Sequence, residues 1–200
     1  MYYNKSEILY NQLLGRSNFN GGILIAKNGE IVYEKYNGYS NSKTKEPINS
    51  NTTFHIASVS KTFTAMAILR LWEQHKLNIS DSLQQFFPSL PYHNITVKDL
   101  LSHRSGLPNY LYFSDTAFKK NSRVTNNDVL NYMIYAQPAL YAKPNKIFHY
   151  CNTNYVLLAL IIEKTTGISY PKYMKDSIFM LRQVLRQIRK LKHLSSRQNI

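Results

Sequence analysis

Apolar and polar positions follow two rhythms in the first forty residues. Ile8, Leu9, Leu13 and Leu14 recur at helical spacing, which predicts an amphipathic helix over 6–14 with those four on its packed side. Gly21-Gly22-Ile23-Leu24-Ile25-Ala26-Lys27 is a short run apolar enough to predict a strand covered on both faces. Asn28-Gly29 is a strong hairpin signal, and Glu30 to Lys35 predicts the returning strand. Residues 38–53 are polar and loop-like. Between Lys61 and Arg70 no charge interrupts Thr62, Phe63, Thr64, Ala65, Met66, Ala67, Ile68 and Leu69. That stretch predicts a buried helix running to about His75.

Further on, Phe86-Phe87-Pro88 reads as an apolar turn. Ile95 to His103 predicts a short helix capped by Thr96, with Asp99 at the capping-box position. Tyr110 to Lys120 reads as a polar-aromatic loop that could rim a cleft. Thr125 caps a helix to about Ala136, and the apolar run after Asn152 is a helix ended by Gly167. Ser169-Tyr170-Pro171 opens another, running to Ile178-Phe179. Short strands followed by helices predict a mixed α/β (α+β) chain.

Composition narrows the classes. Two hundred residues are enough for one ordinary domain with a sizeable core. The formal net charge is +14, from 25 Lys+Arg against 11 Asp+Glu. Much of that excess is dispersed Lys on what reads as a solvated surface, so no specific nucleic-acid site follows. The single cysteine, Cys151, excludes an internal disulfide and a cysteine-based metal site. The histidines show no metal-ligand spacing, and no apolar run reaches transmembrane length. The first residues carry no signal-peptide pattern. No metal or organic cofactor is implied.

Candidate chemistry centres on Phe54-His55-Ile56-Ala57-Ser58-Val59-Ser60-Lys61. On a helix, positions i and i+3 share a face, so the Lys61 amine can reach the Ser58 hydroxyl. A serine needs such a neighbour to take its proton before it becomes a nucleophile. Burial of Lys61 would disfavour its ammonium form. If Ser58 lies at the helix start, backbone N–H groups would favour a developing anion there. S-x-x-K by itself is a weak pattern in a Lys-rich chain, where a solvated Ser and a solvated Lys are the common case.

Two further stretches change the weight. Leu100-Leu101-Ser102-His103-Arg104-Ser105-Gly106-Leu107-Pro108 is very close to L-L-x-H-x-S-G-L-P, and Tyr150-Cys151-Asn152 reads Y-x-N. With Ser58 and Lys61 they resemble the serine β-lactamase and penicillin-binding-protein superfamily, in its class C-like branch of esterases and D-amino-acid peptidases, from about Phe19 to Phe179. The resemblance implies a β-lactamase/transpeptidase-like fold, incomplete here: an N-terminal β-hairpin plus a helical region, with the C-terminal sheet strands missing. It implies a serine hydrolase with an acyl-enzyme on Ser58. Tyr150 acts as general base with Lys61, Asn152 bonds the Lys61 amine and a substrate amide, and the Ser58 N–H forms half of an oxyanion hole. Substrates of the class are β-lactams, D-amino-acid peptides and esters. Gly106 and Pro108 are read as shaping a turn, His103 as satisfying loop carbonyls, and Cys151 as packing. Asn145 stands where relatives usually have Gly after Pro144, and Asn tolerates positive φ next best.

Relatives continue past Phe179 with a second half that bears a K-T-G or H-x-G strand and the other oxyanion N–H. Relatives are also often exported, so a leader upstream of Met1 fits the resemblance. From Met180 the chain turns basic: Arg182, Arg186, Arg189, Lys190, Lys192 and Arg197, without one Asp or Glu. This divides the chain into a partial β-lactamase-related domain, 1–179, and a basic tail, 180–200. Leu181-Arg182 stands where relatives have Leu-Gly, as a one-base frameshift would produce. The rival is a basic helix with Leu181, Val184, Leu185, Ile188 and Leu191 on one face, suited to non-specific polyanion or anionic-membrane contact. The alternative to an impaired hydrolase is therefore a catalytically inactive fragment or a basic interaction protein.

Overall fold

A computed structural model describes residues 2–15, 17–118 and 123–180. The basic segment 181–200, with its frameshift and amphipathic-helix readings, lies outside the described residues. By its internal contacts the chain divides after Ile56 into two compact units.

In the first unit, helix α1 (Tyr2–Leu13) precedes an antiparallel hairpin of β1 (Gly21–Lys27) and β2 (Glu30–Asn37). Asn28 (φ 53°) and Gly29 (φ 84°) both take the left-handed conformation that a two-residue hairpin turn requires. Strands β3 (Tyr39–Asn41) and β4 (Glu46–Pro47) form a second small ribbon within the stretch read as loop. Two sequence readings need correction. Strand β1 is not covered on both faces: Ile23 and Ile25 are half-buried, while Leu24 is 56% exposed. The packed side of α1 is not the Ile8–Leu9–Leu13 side, which is exposed. The packed side carries Glu7 and Tyr10. Glu7 accepts hydrogen bonds from Tyr33 Oη (2.7 Å) and Lys35 Nζ (2.6 Å), and Tyr10 is buried under the Lys35 ammonium. Polar anchors on β2 decide the rotation of a helix whose aliphatic pattern alone points elsewhere.

The second unit is helical. A 3₁₀ turn (Ala57–Val59) leads into α2 (Ser60–Glu73). Short helices α3 (Leu83–Phe86) and α4 (Val97–Leu101) follow. A 3₁₀ turn over Tyr110–Tyr112 and α5 (Ser114–Ala117) occupy the expected aromatic loop. Then come α6 (Asn126–Ala136), α7 (Asn152–Thr166) and α8 (Tyr170–Tyr173), which continues as a π-helical turn over Met174–Phe179.

Helix α7 is the axis. Leu157, Leu158, Ala159, Leu160, Ile161 and Ile162 are buried almost all round, and α2, α4 and α6 pack on it. Gly167 ends it at φ 68°. Thr96 with Asp99 and Thr125 with Asp128 form reciprocal caps on α4 and α6, with Asp in the place of the usual Glu. On α2 the buried stripe is Thr64, Ala67, Ile68 and Leu71, spaced i, i+3, i+4, i+7. The opposite side, Met66, Leu69 and Trp72, is exposed, so the helix expected to be buried on nearly every side is buried on one.

Candidate active site

The site is assembled where the start of α2 meets the start of α7. Ala57 takes φ 44°, a left-handed conformation uncommon for a residue with a Cβ. Ser60 Oγ donates to Ala57 O (2.6 Å) and Thr62 Oγ1 to Val59 O (2.7 Å), tying the turn to the helix. Ser58 is thereby held on the 3₁₀ turn, two residues before α2, and is exposed. Lys61 lies in the first turn of α2.

Ser58 Oγ lies 3.0 Å from Lys61 Nζ and 2.7 Å from Tyr150 Oη. Lys61 Nζ is also 5.1 Å from the centre of the Tyr150 ring and 5.7 Å from that of Tyr155. The Lys61 ammonium, followed by the Ser58 hydroxyl, holds the Tyr150 phenol below its usual value of 10, because both hydrogen-bond its oxygen and the positive charge favours the phenolate. Three of the four residues selected from sequence therefore converge on one oxygen atom. Asn152 stands at the N-terminal end of α7, half-buried. Among the described residues no hydrogen bond joins its side chain to Lys61. Lys61 is half-buried, not enclosed as expected.

Behind Tyr150 lies a polar cluster that sequence reasoning did not assemble. His103 (φ 56°) is 8% exposed. Its Nδ1 accepts the Cys151 N–H at 3.1 Å and lies 3.3 Å from Asn154 Nδ2. The Asn154 amide is oriented by Ser105 Oγ, which donates to Oδ1 at 2.6 Å, and both residues are fully buried. Two donors facing Nδ1 assign the neutral imidazole with its proton on Nε2. Burial first, and the Lys61 charge second, hold His103 below its ordinary 6.5. The imidazole thus serves a backbone N–H, not the loop carbonyls expected. It is the His103 carbonyl that accepts, from His149 N–H at 2.8 Å. Cys151 packs as expected: it is buried, its thiol donates to Leu107 O, and burial pushes that thiol up, away from a reactive thiolate. Gly106 (φ 71°) is required in the adjoining turn, since a Cβ there would sit 2.0 Å from Ala142 O. No spacing rule connects His103 and Ser105 with Asn154, some fifty positions further on; the H-x-S-G stretch is the signal that could have marked the first two.

Comparison with known proteins agrees with this geometry. The Beta-lactamase family matches residues 10–183. The chain therefore belongs to the β-lactamase family, within the superfamily that includes penicillin-binding proteins. It is similar to penicillin-binding protein 4* of Bacillus subtilis, at 37% identity over 174 residues, 87% of this chain but 39% of that protein. Among solved structures, an octameric penicillin-binding protein homologue from Pyrococcus abyssi shares 32% identity at a TM-score of 0.70, over 88% of this chain and 42% of its own. EstCE1, described as a hydrolase with promiscuous acyltransferase activity, shares 26% identity at a TM-score of 0.73, over 88% of this chain and 50% of its own. The fold is β-lactamase/transpeptidase-like, and the chain spans half or less of the length of each of these relatives.

Proposed function

We propose that the protein is a serine hydrolase of the β-lactamase, D-Ala-D-Ala peptidase or esterase type, acting through an acyl-enzyme on Ser58. The observation that carries this reading is Ser58 Oγ held within 3.0 Å of both Lys61 Nζ and Tyr150 Oη. The Ser58 proton passes to the Tyr150 phenolate as Oγ bonds to the substrate carbonyl carbon. The carbonyl π bond opens onto its oxygen, which the Ser58 N–H stabilises. Collapse re-forms the carbonyl and breaks the bond to the leaving group, which takes the proton from Tyr150. In the second half, water gives its proton to Tyr150 as its oxygen attacks the ester. The acid leaves, and the proton returns to Ser58. Lys61 keeps the phenol acidic enough to be a base, and Asn152 positions the substrate amide. β-Lactams, D-amino-acid peptides and simple esters all present the required acyl carbon.

Intact-mass measurement after treatment with a fluorophosphonate tests this. One adduct is expected on the wild-type chain and none on Ser58→Ala. An adduct that persists in Ser58→Ala sinks the assignment. Ser60, two residues on, is the internal control, because it lacks the three-residue spacing to Lys61 and donates instead to Ala57 O. A second reading, a catalytically inactive fragment, is favoured by the openness of the site and would give no adduct on the wild-type chain either.

A further inference from the structure

We propose that His103 is a positioning residue for Tyr150, setting the phenol over Ser58 through one hydrogen bond and one ring contact. The inference rests on the acyl-enzyme reading for its consequence in rate, but on the structure alone for its geometry. The Cys151 N–H that His103 Nδ1 accepts belongs to the peptide immediately after Tyr150. The imidazole also lies against the Tyr150 ring, with centroids 4.5 Å apart and planes at 35°. Tyr150 is 42% exposed, so packing from the solvent side does not hold it. The histidine is in turn locked from behind: Asn154 Nδ2 faces Nδ1, Ser105 fixes that amide, and Tyr155 and Phe148 flank the ring at 5.2 and 5.9 Å. A buried residue braced on every side, and braced against one exposed side chain, fixes that side chain's position. An error of about 1 Å at a reacting group can cost on the order of a hundredfold in rate. Protonation of Nδ1 would replace an acceptor by a donor facing two other donors, and would release the loop. The titratable groups facing the ring are Lys61 from α2, His149 and Tyr150 from the preceding loop, and Tyr155 from α7.

Two variants separate the contacts. His103→Ala removes both. His103→Asn keeps an acceptor near Nδ1 and suits φ 56°, but loses the ring. Two readouts are taken: the Tyr150 titration, followed by NMR of [¹³Cζ]tyrosine-labelled full chain and assigned with Tyr150→Phe, and the rate of fluorophosphonate adduct formation against pH. The Tyr150 midpoint is expected to rise in His103→Ala, with adduct formation slowed roughly tenfold or more and its pH midpoint displaced upward. His103→Asn should fall between Ala and wild type. In the Tyr150→Phe background, His103→Asn should add nothing to the loss. If His103→Ala fails to fold, His103→Asn against wild type decides. A wild-type Tyr150 titration and rate in the folded variants overturns the positioning role, whatever Tyr150 does. Normal adduct formation by Tyr150→Phe overturns Tyr150 as base, and leaves the NMR titration to judge His103.

Discussion

At Ser58 the geometry leaves the proton two places to go, and the residues around it differ in what each can do. In the proposed mechanism Tyr150 is the base, because the Lys61 ammonium holds its phenol below the usual value of 10 and so makes the phenolate easier to reach near neutral pH. Removing that charge should raise the Tyr150 midpoint: Lys61→Met is expected to shift the pH midpoint of adduct formation upward, as stopped-time mass spectrometry across pH 6 to 10 would show. An unchanged midpoint would mean that Lys61 does not act through the phenol. His103 supplies a separate pH effect, on stability. Its pKa is held below 6.5 in the folded chain. Between that lowered value and 6.5 the unfolded chain binds more protons than the folded one, so stability rises with pH across the window. Acidification from pH 7.5 should therefore lower Tm below about pH 6.5 in wild type. The slope should be flatter in His103→Asn, and equal slopes would remove His103 as the cause.

At the scale of elements, the second unit depends on its turns as much as on its helices. Gly106 combines φ 71° with a carbonyl 2.0 Å from where a Cβ would stand. Its own carbonyl receives the Tyr141 N–H at 2.8 Å, tying two distant loops together. Gly106→Ala must displace backbone, not a flexible side chain, and should destabilise by several kcal/mol, above the roughly 1–3 kcal/mol of ordinary left-handed strain. Thr125→Ala, which removes one cap on α6, should cost only about 1 kcal/mol. Urea titration of both variants compares them, and a Gly106→Ala effect no larger than that of the cap would contradict the steric account. These turns were legible in the sequence. Gly106, Asn145 (φ 59°), Gly167 and the Asn28-Gly29 pair each announce a backbone need that few residue types meet. The two Thr-x-x-Asp caps were legible for the same reason, as local chemistry within four residues. Ser58 and Lys61 were readable because helical spacing brings them together, and Tyr150 because a motif marked it. The rotation of α1 was not readable, since Glu7 with Tyr33 and Lys35 is a contact across some twenty-six residues. The exposed side of α2 was not readable either: Met66, Leu69 and Trp72 look like core by composition.

For the molecule as a whole, what matters is how much a site this open can accomplish. Ser58 is exposed and Tyr150 is 42% exposed, so bulk water surrounds the carbon that Ser58 would attack. Electrostatic stabilisation of a tetrahedral intermediate is strong only where water is excluded and donors are fixed in advance. Loss of one such donor costs on the order of a hundred- to a thousand-fold in rate. The first unit adds a second liability. Both described sheets have only two strands. Among the described residues the hairpin strands pair only with each other, and Leu24 and Ile31 on them are 56% and 41% exposed, a pattern that invites pairing between copies. On the reading of 180–200 as a polyanion contact, its six Lys and Arg with no acid would give a non-specific hold that salt should abolish. These 200 residues alone are therefore expected to form the Ser58 adduct with a fluorophosphonate yet to hydrolyse nitrocefin or p-nitrophenyl acetate barely faster than Ser58→Ala. They are also expected to self-associate in sedimentation velocity, and Leu24→Lys should reduce that association without changing adduct formation. Deleting 180–200 should remove salt-sensitive retention on heparin and leave the adduct intact. Rapid, Ser58-dependent turnover by a monomer of this chain would overturn the argument. It would show that the Ser58, Lys61 and Tyr150 cluster stabilises its intermediate without shelter from water.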